Sequence, residues 1–149
     1  MQTRLLVLCA LVLTVSAAGQ VRRCQADEKT VAIPITNKWS GSIAIKLKEA
    51  APKMNYIANK TEWEKLWKLY REKEEVPAVD FEKDLVLVAV NRDPNYISIE
   101  PKVDEQGDLQ LSMASTLAAY HEPTTCRYQF VLIQRSHFKT YRGKPIPQQ

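Results

Sequence analysis

The chain has 149 residues, of which 45% are hydrophobic and 26% are charged, and its formal net charge is +4. This length suits one domain with a modest hydrophobic core, and so small a basic excess argues against a dedicated nucleic-acid binder, whose positive charge is clustered. The chain has only 4 glycines, and none of them builds a glycine-rich phosphate loop. We therefore expect no nucleic-acid partner and no cofactor.

The N-terminal segment has the three-part order of a signal peptide, with Arg4, the apolar run Leu5–Val15 and the small residues Ser16–Ala18. A membrane-spanning helix would need about 20 apolar residues. Residues 1–18 are therefore predicted to be a signal peptide cleaved after Ala18, with an uncleaved N-terminal anchor as the alternative. The mature protein is expected outside the cytoplasm, in the periplasm or secreted, and not as an integral membrane protein.

Residues 19–29 form a polar lead-in, and residues 30–149 are predicted to fold as a single domain. Cleavage after residue 18 would leave two cysteines, Cys24 in the lead-in and Cys126 near the end of the chain. An oxidising compartment permits a disulfide between them. Because sequence alone cannot place their Cα atoms within bridging distance, a Cys24–Cys126 bridge and two free thiols both stay open.

The first predicted element of the domain is a β-hairpin. Apolar residues alternate with polar ones over residues 31–36 and again over residues 43–47, on either side of a turn at residues 37–41. Pro34 cannot donate a ladder hydrogen bond, so its strand is expected at a sheet edge. A short extended segment is predicted for residues 54–58.

One amphipathic helix is predicted from Glu62 to Arg71, because Thr61 and Glu64 have the spacing of a capping box and the apolar residues recur at helical spacing. An aromatic stripe can stack on a sugar or a cofactor, but at this periodicity it is typical of core packing against a sheet. The stripe consists of Trp63, Leu66, Trp67 and Tyr70. The charged residues of the other face are expected to be solvated: Glu64, Lys65, Lys68, Arg71 and Glu72.

Four further elements follow along the chain. The apolar run Leu85–Val90 predicts a central strand buried on both faces, and residues 97–103 and 109–113 predict a hairpin around the turn Asp104–Asp108. Tyr128–Ile133 predicts a second buried strand, and residues 139–146 predict a small terminal hairpin. The predicted fold class is α+β, a mostly antiparallel β sheet or sandwich with one amphipathic helix packed on it.

Residues that could support catalysis or metal binding are few. A pair of Cys126 with a histidine could in principle form an activated thiolate, which leaves a hydrolase with a site at His121 or Cys126 as the least favoured function. Carboxylates cluster at residues 80–84 and 104–108, where either group could hold calcium. Turn formation explains both clusters more simply, so we expect no metal site.

The C-terminal part of the chain is basic, since no acidic residue follows Glu122. Its cations could meet an anionic polymer, a membrane surface or an acidic partner, or they could protect an exposed sheet edge from aggregation, which we favour. The basic residues are Arg127, Arg135, Lys139, Arg142 and Lys144. The candidate binding surface combines two tyrosines with part of this set: Tyr96, Tyr120, Arg135, Lys139, Arg142 and Lys144.

The order of several segments resembles the PrcB-type C-terminal domain, a family of bacterial exported proteins. The similarity covers roughly residues 54–146 and rests on Glu62–Trp67, Val79–Asp84, Leu85–Val90 and Tyr128–Ile133. The namesake members are accessory subunits of an extracytoplasmic protease complex, so the resemblance implies a protein-binding role. Many members carry a Thr-Gly-Gly-Tyr-like turn after the central strand, and of that turn this chain keeps only Tyr96.

Three functions from different classes remain. The first is an exported non-enzymatic protein-interaction module that assists or regulates an extracytoplasmic protease. The second is a cell-envelope or small-ligand binding protein that uses Trp39, Tyr96 and Tyr120, with weak electrostatic attraction to anionic envelope material. The third is the hydrolase described above. The absence of a catalytic constellation counts against the third function, and the resemblance to the PrcB-type domain favours the first over the second.

Overall fold

The computed structural model describes residues 29–92, 96–116 and 124–147. The predicted signal peptide, Cys24, Tyr120 and His121 lie outside these ranges. The described chain forms nine strands, one α-helix and two short 3₁₀ helices. The strands are β1 (Val31–Ala32), β2 (Ile35–Ala44), β3 (Tyr56–Ile57), β4 (Asp84–Asn91), β5 (Ile97–Val103), β6 (Asp108–Ser115), β7 (Thr125–Gln134), β8 (Thr140–Tyr141) and β9 (Lys144–Pro145). The helix α1 spans Lys60–Tyr70, and the 3₁₀ helices span Ile45–Ala50 and Arg135–His137.

The strands form two sheets, which confirms the predicted α+β fold. One sheet has the order β1-β5-β6-β8-β9 and the other has the order β2-β7-β4-β3. Every described strand pair is antiparallel except β6 with β8. The two sheets pack face to face, and α1 covers the outer face of the four-stranded sheet, so the domain has three layers.

The central strands β4 and β7 are buried on both faces because they lie in the middle layer. In β4, Leu85 and Leu87 point into the core between the sheets, whereas Val86 and Val88 point toward α1. The same alternation continues in β7. Continuous apolar runs therefore predict these two buried strands correctly, and β4 has the central position expected of it, with β7 beside it inside the same sheet.

The predicted first hairpin is wrong. Residues 37–41 are not a turn, because β2 runs through them and pairs with β7 from Ile35–Ile133 to Ala44–Thr125. The chain instead changes sheets between β1 and β2, where Ile33 N donates to Pro101 O over 2.9 Å. Pro34 lies at this crossing, between the edge strands β1 and β2 and outside both, so its missing N–H removes no ladder hydrogen bond.

Gly41, which suggested a turn, has a different role within strand β2. A Cβ atom built at this position would lie 2.6 Å from Tyr128 Oη and 2.9 Å from the Tyr128 ring. The glycine lies opposite Tyr128 in the β2–β7 ladder, so the ring fills the space that a side chain would need. The missing side chain of Gly41 thus lets the Tyr128 ring pack directly against the backbone of β2.

Replacing Gly41 by alanine is expected to lower the free energy of unfolding by about 1–3 kcal/mol, the usual cost of overpacking a core. Tyr128 is buried and its hydroxyl is held by Arg71, so the ring cannot move aside freely. Chemical denaturation of Gly41→Ala measures the effect, with the neighbouring exposed Ser42→Ala as the control. Equal stability of the two variants would show that the ring does not confine position 41.

The helix begins earlier than its predicted capping box. Asn59 is the N-cap, and its side-chain oxygen accepts a hydrogen bond of 2.8 Å from Glu62 N. Thr61 and Glu64 lie inside the helix, so the capping-box prediction is wrong by two residues. The predicted stripe is confirmed as core, since all four of its residues are buried against the four-stranded sheet.

Arg71, predicted to be solvated, instead ties the end of α1 to the sheet. Its guanidinium lies over the Trp67 ring at 4.9 Å, donates to Tyr128 Oη over 2.6 Å and donates to Ser40 O over 2.8 Å. It also pairs with Glu74. The prediction that Arg71 is solvated is wrong, because the long arginine side chain at the end of the helix reaches across the edge strand β2.

The two later hairpins are confirmed. β5 pairs with β6 around the turn that Asp104 shapes, and β8 pairs with β9. In the second turn Arg142 and Gly143 have φ values of 52° and 69°. Two successive residues with positive φ are typical of a tight type I′ hairpin.

Candidate functional site

An apolar groove of about 570 Å³ lies between α1 and the chain around β3, the outer strand of the four-stranded sheet. The helix contributes one wall, with Glu62, Lys65, Leu66 and Leu69. The segment from Ala50 to Asn59 contributes the other wall, and Pro147 closes one part of it. The groove is partly open to solvent, and its volume falls in the range of ligand sites, roughly 300–1,000 Å³.

Two large hydrophobic side chains stay exposed in this groove. Met54, on the β3 wall, is 37% exposed, and Leu69, on the helix wall, is 42% exposed. Single exposed apolar residues are ordinary, but their concentration along one concave surface is typical of an interaction site.

Local backbone geometry holds Met54 in this position. Asn55 has a φ of 60°, and its N donates to Pro52 O over 3.0 Å, which closes a turn around Met54. Asn55 O accepts from Val88 N over 2.8 Å, and Asn55 Nδ2 donates to Val88 O over 3.4 Å. Asparagine tolerates this left-handed conformation better than most residues. The turn is therefore anchored to the central strand β4.

The C-terminal wall of the groove is held by Arg135. Its guanidinium donates to Asp84 O over 2.9 Å, to Pro147 O over 3.0 Å and to Ala58 O over 3.4 Å. Burial lowers the pKa of this guanidinium. Arg135 is thus committed to backbone carbonyls, and it positions the groove rather than presenting its charge to a partner.

The structure does not bring the predicted binding surface together. Tyr96 is 61% exposed, and its carbonyl accepts from Thr116 N at one end of the β5–β6 hairpin. The terminal hairpin pairs with Asp108 and Leu109 at the other end of β6. Because β6 is 8 residues long, its two ends lie about 23 Å apart. The exposed basic residues of the surface are confined to this hairpin: Lys139, Arg142 and Lys144.

The aromatic residues considered for ligand stacking are also separated. Trp39 packs with Trp63 and Trp67, at ring-centroid distances of 5.5 Å and 5.6 Å, on the α1 side of the four-stranded sheet. Tyr96 directly precedes β5 of the other sheet, and Tyr120 lies outside the described residues. The structure therefore gives Trp39 a packing role.

Cys126 is fully buried on the α1 side of β7, and it forms no disulfide with any described residue. Burial raises the pKa of its thiol, which keeps it protonated and poorly nucleophilic. His137 lies beyond the opposite end of β7, so no described histidine stands beside the thiol. Because Cys24 lies outside the described ranges, a Cys24–Cys126 bridge and two free thiols both stay predictions.

The carboxylates of Asp104 and Asp108 accept hydrogen bonds that hold the β5–β6 turn and the terminal hairpin in place. Asp104 Oδ1 accepts hydrogen bonds from Asp108 N and Gln106 N. These bonds lower the pKa of the Asp104 carboxyl, and the bond from Asp108 N has the larger effect. Asp108 Oδ1 accepts from Thr140 Oγ1 and Gly143 N, which attaches the terminal hairpin. Within residues 29–92, 96–116 and 124–147, no three His, Cys, Asp or Glu residues are grouped to hold a metal ion.

The groove was not predicted from the sequence. Leu69 is the one signal that could have suggested it, because an apolar residue there interrupts the charged face of α1. Met54 gives no such signal, since it stands alone among turn residues.

Comparisons with protein-family models, curated proteins and solved structures find no match to the chain. In the described part of the chain, no helix combines the length and the apolar character needed to cross a bilayer.

Proposed function

We propose that the protein is an exported, non-enzymatic interaction module that binds an apolar segment of a partner protein in the groove between α1 and β3. The observation that carries this proposal is the exposure of Met54 and Leu69, one on each wall of a preformed apolar groove. The resemblance to PrcB-type domains supports an extracytoplasmic protease complex as the setting of that partner.

The shape and lining of the groove favour a protein segment over a small molecule. Small-ligand sites usually enclose most of the ligand surface, roughly 70–90%, whereas this groove leaves a large hydrophobic side chain exposed on each wall, Met54 and Leu69. Its apolar centre is bordered by Lys53, Glu62 and Lys65. An apolar centre with a polar border is the usual anatomy of a protein interface.

The protein is expected to retain a partner from an extracytoplasmic extract through these two side chains. The double variant Met54→Gln/Leu69→Gln should retain at least about tenfold less of that partner than the wild type, because each exposed side chain loses apolar burial. Quantitative mass spectrometry of the captured proteins measures the ratio.

Met113→Gln is the matched control, since Met113 is similarly exposed and lies outside the groove. The control should retain the partner as the wild type does, and thermal melting should show all three proteins folded. A partner retained equally by the double variant would contradict groove binding. Loss in an Arg142→Ala/Lys144→Ala variant instead would assign binding to the terminal hairpin.

A further inference from the structure

The charged residues along the groove are not balanced. Lys53 and Lys65 line it together with a single acidic residue, Glu62. Neither lysine forms an ion pair with any described residue. Both are exposed, so their ammonium groups stay free at the border of the apolar surface.

The helix dipole accounts for the position of the acidic residue, but it does not account for the positions of the two lysines. Glu62 stands in the first turn of α1, where a negative charge interacts favourably with the helix dipole. Lys65 lies in the middle of the helix and Lys53 lies in the turn before β3, so neither stabilises a helix end. Both ammonium groups are therefore available to an anionic group bound in the groove.

We infer that the groove recognises an acidic apolar peptide segment, in which apolar side chains contact Met54 and Leu69 while neighbouring Asp or Glu carboxylates pair with Lys53 and Lys65. This inference rests on the proposed function and specifies the chemistry of the partner. Complementary charges at the border of an apolar contact contribute more to specificity and association rate than to affinity. The apolar contacts therefore supply most of the binding, and the lysines select the sequence.

A display library of random short peptides tests this chemistry directly, because it offers the groove many combinations of apolar and charged residues. Peptides selected on the wild-type protein should combine at least two apolar residues with flanking Asp or Glu. Binding of a selected peptide, measured by fluorescence polarisation, should weaken about fivefold in Lys53→Glu/Lys65→Glu, the scale expected of two exposed ion pairs. It should weaken at least about tenfold in Met54→Gln/Leu69→Gln.

The matched control for charge is Lys38→Glu/Lys73→Glu. These lysines are exposed, lie outside the groove and change the net charge by the same amount. Binding by this control should equal that of the wild type. Selection on the Lys53→Glu/Lys65→Glu variant should yield peptides with Lys or Arg in place of Asp or Glu.

The outcomes separate this inference from the proposed function. Selected peptides that need Met54 and Leu69 but show no acidic preference would overturn the inference and leave groove binding intact. Failure to select any peptide that depends on Met54 and Leu69 would overturn both. A wild-type dimer in sedimentation that becomes monomeric in Met54→Gln/Leu69→Gln would assign the groove to a second copy of the chain and overturn the inference.

Discussion

Replacing Gln129 by glutamate is expected to lower the free energy of unfolding by about 3 kcal/mol at neutral pH, the scale of a buried group that loses a partner and gains a charge. Gln129 is 2% exposed and points from β7 toward the other sheet. Its Oε1 accepts from Ile99 N over 2.9 Å, and its Nε2 donates to Ile97 O over 3.0 Å. A carboxylate keeps the first bond and cannot make the second.

The loss of unfolding free energy in Gln129→Glu should depend on pH. Burial raises the pKa of the introduced carboxyl above its unfolded value of about 4.3. A protonated carboxyl can accept from Ile99 N and donate to Ile97 O, as the amide does. The difference from the wild type should therefore be small below pH of about 4, and it should grow as the pH rises from the unfolded pKa to the folded pKa.

Denaturant unfolding of Gln129→Glu and the wild type between acidic and neutral pH measures this difference. Gln129→Leu is the matched control, because it removes both hydrogen bonds without adding a titratable group and should be destabilised equally at every pH. A pH-independent difference for Gln129→Glu would show that the side chain of residue 129 does not connect the two sheets.

Replacing Trp63 by alanine is expected to lower the free energy of unfolding by about 4 kcal/mol, within the range for a large buried aromatic residue. Trp63 is 1% exposed, and its ring centroid lies 4.9 Å from that of Trp67 and 5.3 Å from that of Phe130. Its Nε1 also donates to Pro77 O over 3.0 Å, which holds the chain after α1.

Two control variants separate the contribution of ring packing from that of the hydrogen bond, and that of a buried aromatic residue from that of an exposed one. Trp63→Phe keeps an aromatic ring in the core and loses the Nε1 hydrogen bond, so it should cost about 1–2 kcal/mol. Tyr96→Ala removes an exposed aromatic residue and should change stability by less than about 0.5 kcal/mol. A loss below about 1 kcal/mol for Trp63→Ala would contradict the central position of this residue between α1 and the four-stranded sheet.

Periodicity predicts the elements whose burial dominates their structure. The structure confirms three of these elements: the strands at Leu85–Val90 and Tyr128–Ile133 and the apolar stripe of α1. The two strands are buried on both faces, and the stripe is buried against the four-stranded sheet. The segment at residues 37–41 misleads, since Asn and Gly are typical of turns. Its long-range pairing with β7 and the Tyr128 ring over Gly41 decide the outcome, and neither is encoded in the local sequence.

Apart from Leu69 on the charged face of α1, the sequence gives no sign of the groove, for a related reason. Met54 and Leu69 are brought to one surface by the Asn55 turn, the helix position and the C-terminal segment held by Arg135. The candidate binding surface considered from the sequence combined two tyrosines with the basic residues near the end of the chain. Strand order then separates Tyr96 from the terminal hairpin, because they lie at opposite ends of β6.

The most direct test of groove binding is a calorimetric titration of the captured partner against the wild type, Met54→Gln/Leu69→Gln and Met113→Gln. Groove binding predicts that the double variant binds at least about tenfold more weakly, while Met113→Gln binds with wild-type affinity. Equal affinities for all three proteins would contradict the groove between α1 and β3 as the binding site.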